Sequence, residues 1–377
     1  MITEQDRQRA AALVASFTTP DATVVHQAIE DALSKHEQGV LFALHEALES
    51  HPTWQGWARQ SAWRAAGLIP EANALRSFLE RAKTPPTSEY PWGVKPQLAD
   101  GPARNLGAML AHAHDDSMLE RELEHFGLEP SLRELFACWI HERIAQGSLV
   151  GHSAFVQHFV KALPPDHLLA RLPLDLSPLE KGLVVKSGRK TDTLGNWFQF
   201  GEHEWGGFEA EGDWQGRAES LPVDPEELAA VAFNQALCPN STFETRCFRL
   251  FARPPSLRAM SLQPLELECL VGAPVKVKSV SARHVLQALI MLGTTGGAYA
   301  EARSAAHGRA LAWRSMTALT GLPRHAPFTE VEALAARMEW LAFECESDWF
   351  NHVSHDVGLV ALRPDSTLAV LAVTDTD

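Results

Sequence analysis

The sequence predicts an α+β fold: a helical N-terminal half of short helical hairpins, then a mixed, mainly antiparallel sheet with helices. Three observations carry that prediction. Apolar residues recur at helical spacing through most of residues 1–163. Prolines 164, 165, 173 and 178 then interrupt the chain, and beyond them short β-type runs and a glycine- and tryptophan-rich stretch take over. The chain ends in two runs, Val357 to Leu362 and Leu368 to Val373, that are apolar at every alternating position. A strand without a polar face is covered on both sides, so these runs belong at the centre of a sheet. Pro364 and Asp365 supply the turn between them, which makes 357–373 a core hairpin.

A length of 377 residues exceeds one ordinary core. The expected division is a helical domain over 1–178, interrupted by a proline-rich loop at 83–102, and an α+β domain over 179–377. In the first, Asp21 to Lys35 sets Val24, Val25, Ala28, Ile29 and Ala32 on one helical face, and Val40 to Leu48 makes a second apolar stripe. Trp54, Trp57 and Trp63 mark a third helix, and Glu71 to Ala82 follows Pro70 as a fourth. Helices resume across Ala103 to Phe126, Pro130 to Gln146 and His152 to Leu163. Successive short helices resemble helical-hairpin repeats, although no repeated motif accompanies them.

In the second domain, Leu183 to Lys186, Trp197 to Phe200, Phe243 to Phe251 and Leu265 to Val271 read as strands. Glu226 to Asn234 and Ser281 to Leu292 read as helices, and an alanine-rich helix is expected from Ala298. Leu341, Phe343 and Cys345 alternate with Ala342, Glu344 and Glu346, the pattern of a strand with one wet face.

The composition is that of a globular protein, 45% hydrophobic and 21% charged. A net charge of −14 with no dense Lys/Arg cluster opposes nucleic acid and anionic membrane as partners. The first residues lack a basic start and apolar run, so the expectation is a cytoplasmic protein. The five cysteines have no Cys-x-x-Cys spacing and read as buried thiols.

The ending Asp348-Trp349-Phe350, Asp356-x-Gly358-Leu359, Leu362-Arg363-Pro364-Asp365 and Leu368 to Asp377 resembles an uncharacterised bacterial protein family of unknown function. Phe243-Glu244-x-Arg246-x-Phe248-Arg249-Leu250 and Thr295-Gly296-Gly297-Ala298-Tyr299 share the resemblance, which spans about 238–377. It implies no catalytic role for any residue.

Four constellations could carry chemistry. The stretch Gly293, Thr294, Thr295, Gly296 and Gly297 before a helix is a candidate anion site, because free backbone N–H groups and the helix dipole favour negative charge there. Arg303, His307 and Arg314 share one stripe of that helix. The same residues also fit a turn and a solvated helix face; neither a P-loop nor a dinucleotide glycine pattern is present. His112-Ala113-His114-Asp115-Asp116 resembles the start of a metallo-β-lactamase-like motif, but Ser117 stands where the last histidine belongs. A helix junction explains it better. His352, His355 and Asp356 are a weaker metal or acid–base candidate. Trp197, Trp205 and Trp214, interleaved with Glu202, Glu204, Glu209, Glu211 and Asp213, could form an aromatic platform or pack across hairpins.

The best functional expectation is a protein-binding module of immunity or regulatory type, its acidic surface meeting a basic partner. The alternative is an enzyme or sensor that binds a small anion at 293–314. No cofactor is expected, and the sequence leaves open whether the chain is an enzyme.

Overall fold

The computed structural model describes residues 2–17, 22–49, 51, 56–84, 101–181, 186–189, 196–199, 207–222, 241–295, 304–350 and 356–375. Residues 85–100 of the loop expected at 83–102 and the helix expected at 226–234 lie outside these residues, as do Trp54, Trp205, Gly296, Gly297, Arg303, His352 and His355, while Gly101 and Pro102, expected in that loop, open a helix, proline being tolerated in a first helical turn. The chain divides into two compact units, Met1–Leu174 with Lys186–Gln199, and Asp175–Val185 with Phe200–Asp377.

The first unit contains α1 (Glu4–Ser16), α2 (Ala22–Ser34), α3 (Gln38–Ala47), α4 (Trp57–Gly67), α5 (Ala72–Ala82), α6 (Gly101–Ala113), α7 (Asp116–Phe126), α8 (Arg133–Ala145) and α9 (Ala154–Lys161). Its helices pack mainly on near neighbours in sequence: α3 on α1 and α4, α6 on α8, and α7 on α8 and α9. Thr3 opens α1 with a reciprocal capping box to Asp6. Aromatic rings join neighbouring helices, Trp63 against Phe42 and Phe78, and Phe136 edge-on to Phe159. Strands β1 (Lys186–Arg189) and β2 (Asn196–Gln199) pair as an antiparallel hairpin near where strands are expected.

The second unit is built on a seven-stranded sheet. Its strands are β3 (Glu209–Ala210), β4 (Ala218–Leu221), β5 (Ser241–Leu250), β6 (Val275–Val280), β7 (Glu339–Cys345), β8 (Val357–Leu362) and β9 (Thr367–Asp375), in the order β3-β6-β7-β8-β9-β5-β4. Every pairing within it is antiparallel. The α+β class is as expected. The C-terminal hairpin is interior: β8 lies between β7 and β9, β9 between β8 and β5, and all six residues of β8 are buried. Asp365 closes its turn by accepting from the Thr367 backbone N–H (3.0 Å) and hydroxyl (2.7 Å).

One sheet face is covered by an irregular strap, residues 254–271, with 3₁₀ turns at Leu257–Ala259, Gln263–Leu265 and Glu268–Leu270. Its Leu257, Met260, Leu262, Leu267 and Leu270 pack on Phe248, Leu341, Val360, Leu368 and Val370. Three glutamates pin it. Glu339 accepts from Leu257 N–H (2.7 Å), Glu211 from Leu262 N–H (2.6 Å), and Glu244 from Glu268 and Cys269 N–H (3.1 and 3.0 Å). Each carboxylate meets backbone donors that a short turn cannot satisfy itself.

Two strand expectations need correction here. Leu265–Val271 is part of the strap, because Pro264 sits at the start of a 3₁₀ turn and Glu266 (φ 51) turns the chain into the left-handed region. β7 has no wet face: Trp340, Leu341, Ala342, Phe343 and Cys345 are buried, and only Glu344 is exposed.

Among the described residues the unit also has three helices: α10 (Ala282–Thr295), α11 (Ala305–Thr320) and α12 (Phe328–Ala335). α11 packs on α10, α12 and β9.

Candidate functional site

The sequence directs attention to residues 293–314, and the structure places their described part in the interior. Gly293, Thr294 and Thr295 do not form a turn before a helix; they are the last turn of α10. α11 begins at Ala305 after its N-cap Ser304, and the helix start expected at Ala298 lies outside the described residues. Thr294 is buried and donates its hydroxyl back to Ile290 C=O (2.8 Å), and Gly308 lies against it. A Cβ on Gly308 would meet Thr294 Oγ1 at 2.0 Å, so this glycine allows two helices to touch. At Gly293–Thr295, therefore, the candidate anion loop is a helix contact instead.

Thirteen of the sixteen residues of α11 are buried, so its polar groups depend on protein partners. At its N-cap, Ser304 accepts the His307 N–H, and Ser304 Oγ lies 2.6 Å from His307 Nδ1. His307 is buried and Arg314 half-buried, so neither lies on a fully solvated face. At the C-terminus, Gly321 adopts φ 79, and Arg363 crosses beside it to donate to Leu319 C=O (3.0 Å), Ala318 C=O (2.8 Å) and Cys247 Sγ (3.3 Å).

The strongest interaction lies between these ends and involves residues the sequence did not single out. Arg309 and Glu180, each 2% exposed, form a two-pronged ion pair, Nε to Oε1 at 2.7 Å and Nη2 to Oε2 at 3.0 Å. Trp313 Nε1 donates to the same carboxylate (3.1 Å), as does Ser177 N–H (2.9 Å). Burial alone would raise the Glu180 carboxyl, but the charge and hydrogen bonds of Arg309, with those of Ser177 and Trp313, hold it below its ordinary value. Arg309 Nη1 is buried with no hydrogen-bond partner among the described residues.

In the first unit, 112–116 is the joint between α6 and α7. His114 is buried with Nε2 2.8 Å from Gly67 C=O; burial pushes its imidazole below the ordinary value. Asp115 caps α7 through Met118 N–H (3.0 Å), and Asp116 accepts from Arg143 (2.7 Å) and Ser148 (2.5 Å). Gln146 donates to His112 Nδ1 (2.9 Å). His112, His114 and Asp116 thus tie separate segments together, and Asp115 caps its own helix. Among the described residues no group of three His, Cys, Asp or Glu could hold a metal ion. Asp356, the described member of the 352–356 candidate, accepts from the Thr374 hydroxyl (2.8 Å).

The tryptophan stretch contributes to the strap. Trp214 exchanges backbone bonds with Ala259 and Ser261, and Glu211 is one of the pinning carboxylates. Glu209 pairs with Arg258.

A second surface feature of the first unit stands out from the turn Val150–His152 and the start of α9. Leu149 is 69% exposed and Phe155 48%, while Val150, Val156, Phe159 and Val160 beside them are buried. The corner is held by Ser148, which bonds Asp116 and accepts Val150 N–H (3.0 Å), and by Gln157 donating to Gly151 C=O (3.3 Å).

Fold and site together define a two-unit α+β protein with buried polar ties and no helix, among the described residues, long and apolar enough to cross a membrane. The chain belongs to a family of unknown function, DUF6183, whose model matches residues 5–377. The match extends well beyond the C-terminal third on which the resemblance rested. No curated protein and no solved structure matches the chain.

Proposed function

We propose that this chain is a protein-binding module of regulatory or immunity type, and that its helical unit presents a contact surface to a basic partner. The observation that carries the reading is the Leu149–Phe155 corner. Two large apolar side chains stand in water there, on a segment whose neighbouring apolar residues are correctly sorted inward. Hydrogen bonds fix the corner before any partner arrives, which reduces the ordering cost of binding. The net charge of −14 favours encounter with a positively charged surface. The alternative anion site at 293–314 loses its loop at 293–295, and Glu180 already neutralises the buried arginine of α11.

The test is affinity capture from the native host by the wild-type chain and by L149S/F155S, at moderate and high salt. The expected result is a specific partner retained at moderate salt, weakened at high salt and lost with the double variant. Equal capture by a double variant with an unchanged circular dichroism spectrum would overturn the reading.

A further inference from the structure

We infer that the end of the sheet carrying the β8–β9 turn is a docking surface for an acidic protein segment that bears an apolar side chain. The sequence has no dense Lys/Arg cluster, but the fold gathers one from distant stretches. Arg217 leads into β4, Arg249 lies near the end of β5, Arg253 follows it, and Arg337 precedes β7. All four are exposed. The antiparallel register brings these strand ends together: Ala218 pairs with Leu250, Arg249 with Thr367, and Glu339 with Leu362. Hydrogen bonds tie them into one surface. Phe251 N–H donates to Arg217 C=O (3.1 Å), Leu250 N–H to Ser366 C=O (3.0 Å), and Arg253 to Pro364 C=O (3.5 Å) and the Glu339 carboxylate (3.4 Å). Between Arg217 and the turn stands Phe251, 58% exposed, with the Arg217 guanidinium over its ring at 5.1 Å.

The charge balance selects the partner. With half-buried Arg363 these residues make five arginines beside three carboxylates, Glu219, Glu339 and Asp365, in a chain whose 47 acidic residues outnumber its 33 basic ones. Glu339 and Asp365 also serve the fold, through Leu257 and Thr367. The opposite end of the sheet has the opposite sign: Glu344, Glu346 and Asp348 lie at the end of β7, where Lys276 is paired with Glu346 (2.9 Å). Arginine beside an exposed aromatic is the combination enriched at protein interfaces, and its guanidinium grips carboxylates in two-pronged fashion. The interleaved carboxylates and the net charge of −14 disfavour the continuous phosphate backbone of a nucleic acid. An acidic segment can set its carboxylates on Arg217 and Arg253 and its apolar residue on Phe251. This surface belongs to the second unit and the Leu149–Phe155 corner to the first, so each reading can fail without the other.

A fluorescein-labelled glutamate–tyrosine copolymer is the probe, with poly-L-glutamate and single-stranded oligothymidylate as comparisons, each titrated with the full-length protein and read by fluorescence anisotropy. The copolymer should bind wild type, less tightly as salt is added. R217E/R253E should bind it about tenfold more weakly. F251S should lose affinity for the copolymer and keep that for poly-L-glutamate. No binding by wild type, equal binding by folded R217E/R253E, or tighter binding of oligothymidylate than of the copolymer would overturn the inference. If R217E/R253E does not fold, R217S, which leaves the Arg253–Glu339 pair intact, decides: a weaker complex supports the surface and an unchanged one contradicts it.

Discussion

The two units solve the same problem, satisfying buried polar groups, over different distances along the chain. In the helical unit the ties are short-range in sequence: Arg143 to Asp116, Arg104 to Glu134, Arg76 to Glu122 and His114 to Gly67 span 27 to 47 residues. In the sheet unit, Arg309 reaches Glu180 across 129 residues, Glu332 accepts from Leu179 N–H across 153, and Arg363 reaches Cys247 across 116. Local ties can form as each helix pair forms, whereas long-range ties wait until the last strands are present. The helical unit should therefore tolerate damage piecemeal, and the sheet unit should fail as a whole.

Removing Thr367–Asp377 gives the largest expected effect. Leu368, Val370, Leu371 and Val373 are at most 1% exposed. Burying each is worth about 1.5–3 kcal/mol, a combined loss comparable with a typical domain stability of about 5–15 kcal/mol. A chain ending at Ser366 should lose amide protection throughout the sheet unit and retain it in α3, α6 and α8. A sheet unit that remained protected would remove the contrast.

Next comes Glu180→Ala, which leaves the Arg309 charge buried and unpaired. The expected cost is roughly 3–5 kcal/mol, read as a fall in the urea midpoint of the sheet unit. A change near zero would mean that Arg309 reaches water when its partner is lost. Glu244→Ala should cost less, about 1.5–3 kcal/mol, because it frees two backbone donors and its ion-pair partner Arg246, 42% exposed, stays solvated. Faster exchange should appear at the Glu268 and Cys269 amides and not in α11. Uniform loss across the unit would show that strap and sheet unfold as one.

The smallest effect is on pH dependence, and it belongs to the helical unit. Burial lowers both His45 and His114 below the ordinary value of 6.5, outweighing the hydrogen bonds to Arg59 and Gly67 C=O. The unfolded chain takes up these protons near 6.5 and the folded one only at lower pH. The contribution is therefore intact above 6.5 and is lost as pH falls below it. Urea midpoints of this unit should fall from about pH 7 to about pH 5, with a shallower slope in His114→Gln. An unchanged slope would separate His114 from the effect.

Legibility in the sequence followed the same divide. Helices α2 to α5 were readable because their apolar faces recur at helical spacing, and β8 and β9 because two-sided burial leaves an unbroken apolar run. The strap was misread because Leu265-Glu266-Leu267-Glu268 alternates as a strand does, although Pro264 and the left-handed Glu266 prevent one. β6 carried a usable signal, Val275-Lys276-Val277-Lys278, that was passed over beside the strand expected at 265–271. Gly293 looked like a loop residue and is a point of helix contact with Gly308. Arg309 lies four residues before Trp313, on the same helix face, but nothing local points to Glu180 at a separation of 129 residues.

The most direct test of this contrast is native-state hydrogen exchange on the full-length protein across increasing denaturant. Amides of β5, β8, β9 and α11 should converge on one opening free energy, since strands and helix share long-range ties, while α3, α6 and α8 should show a spread of values. Independent opening of α11 from β8 and β9, or a single shared value for all the helices of the first unit, would contradict the account.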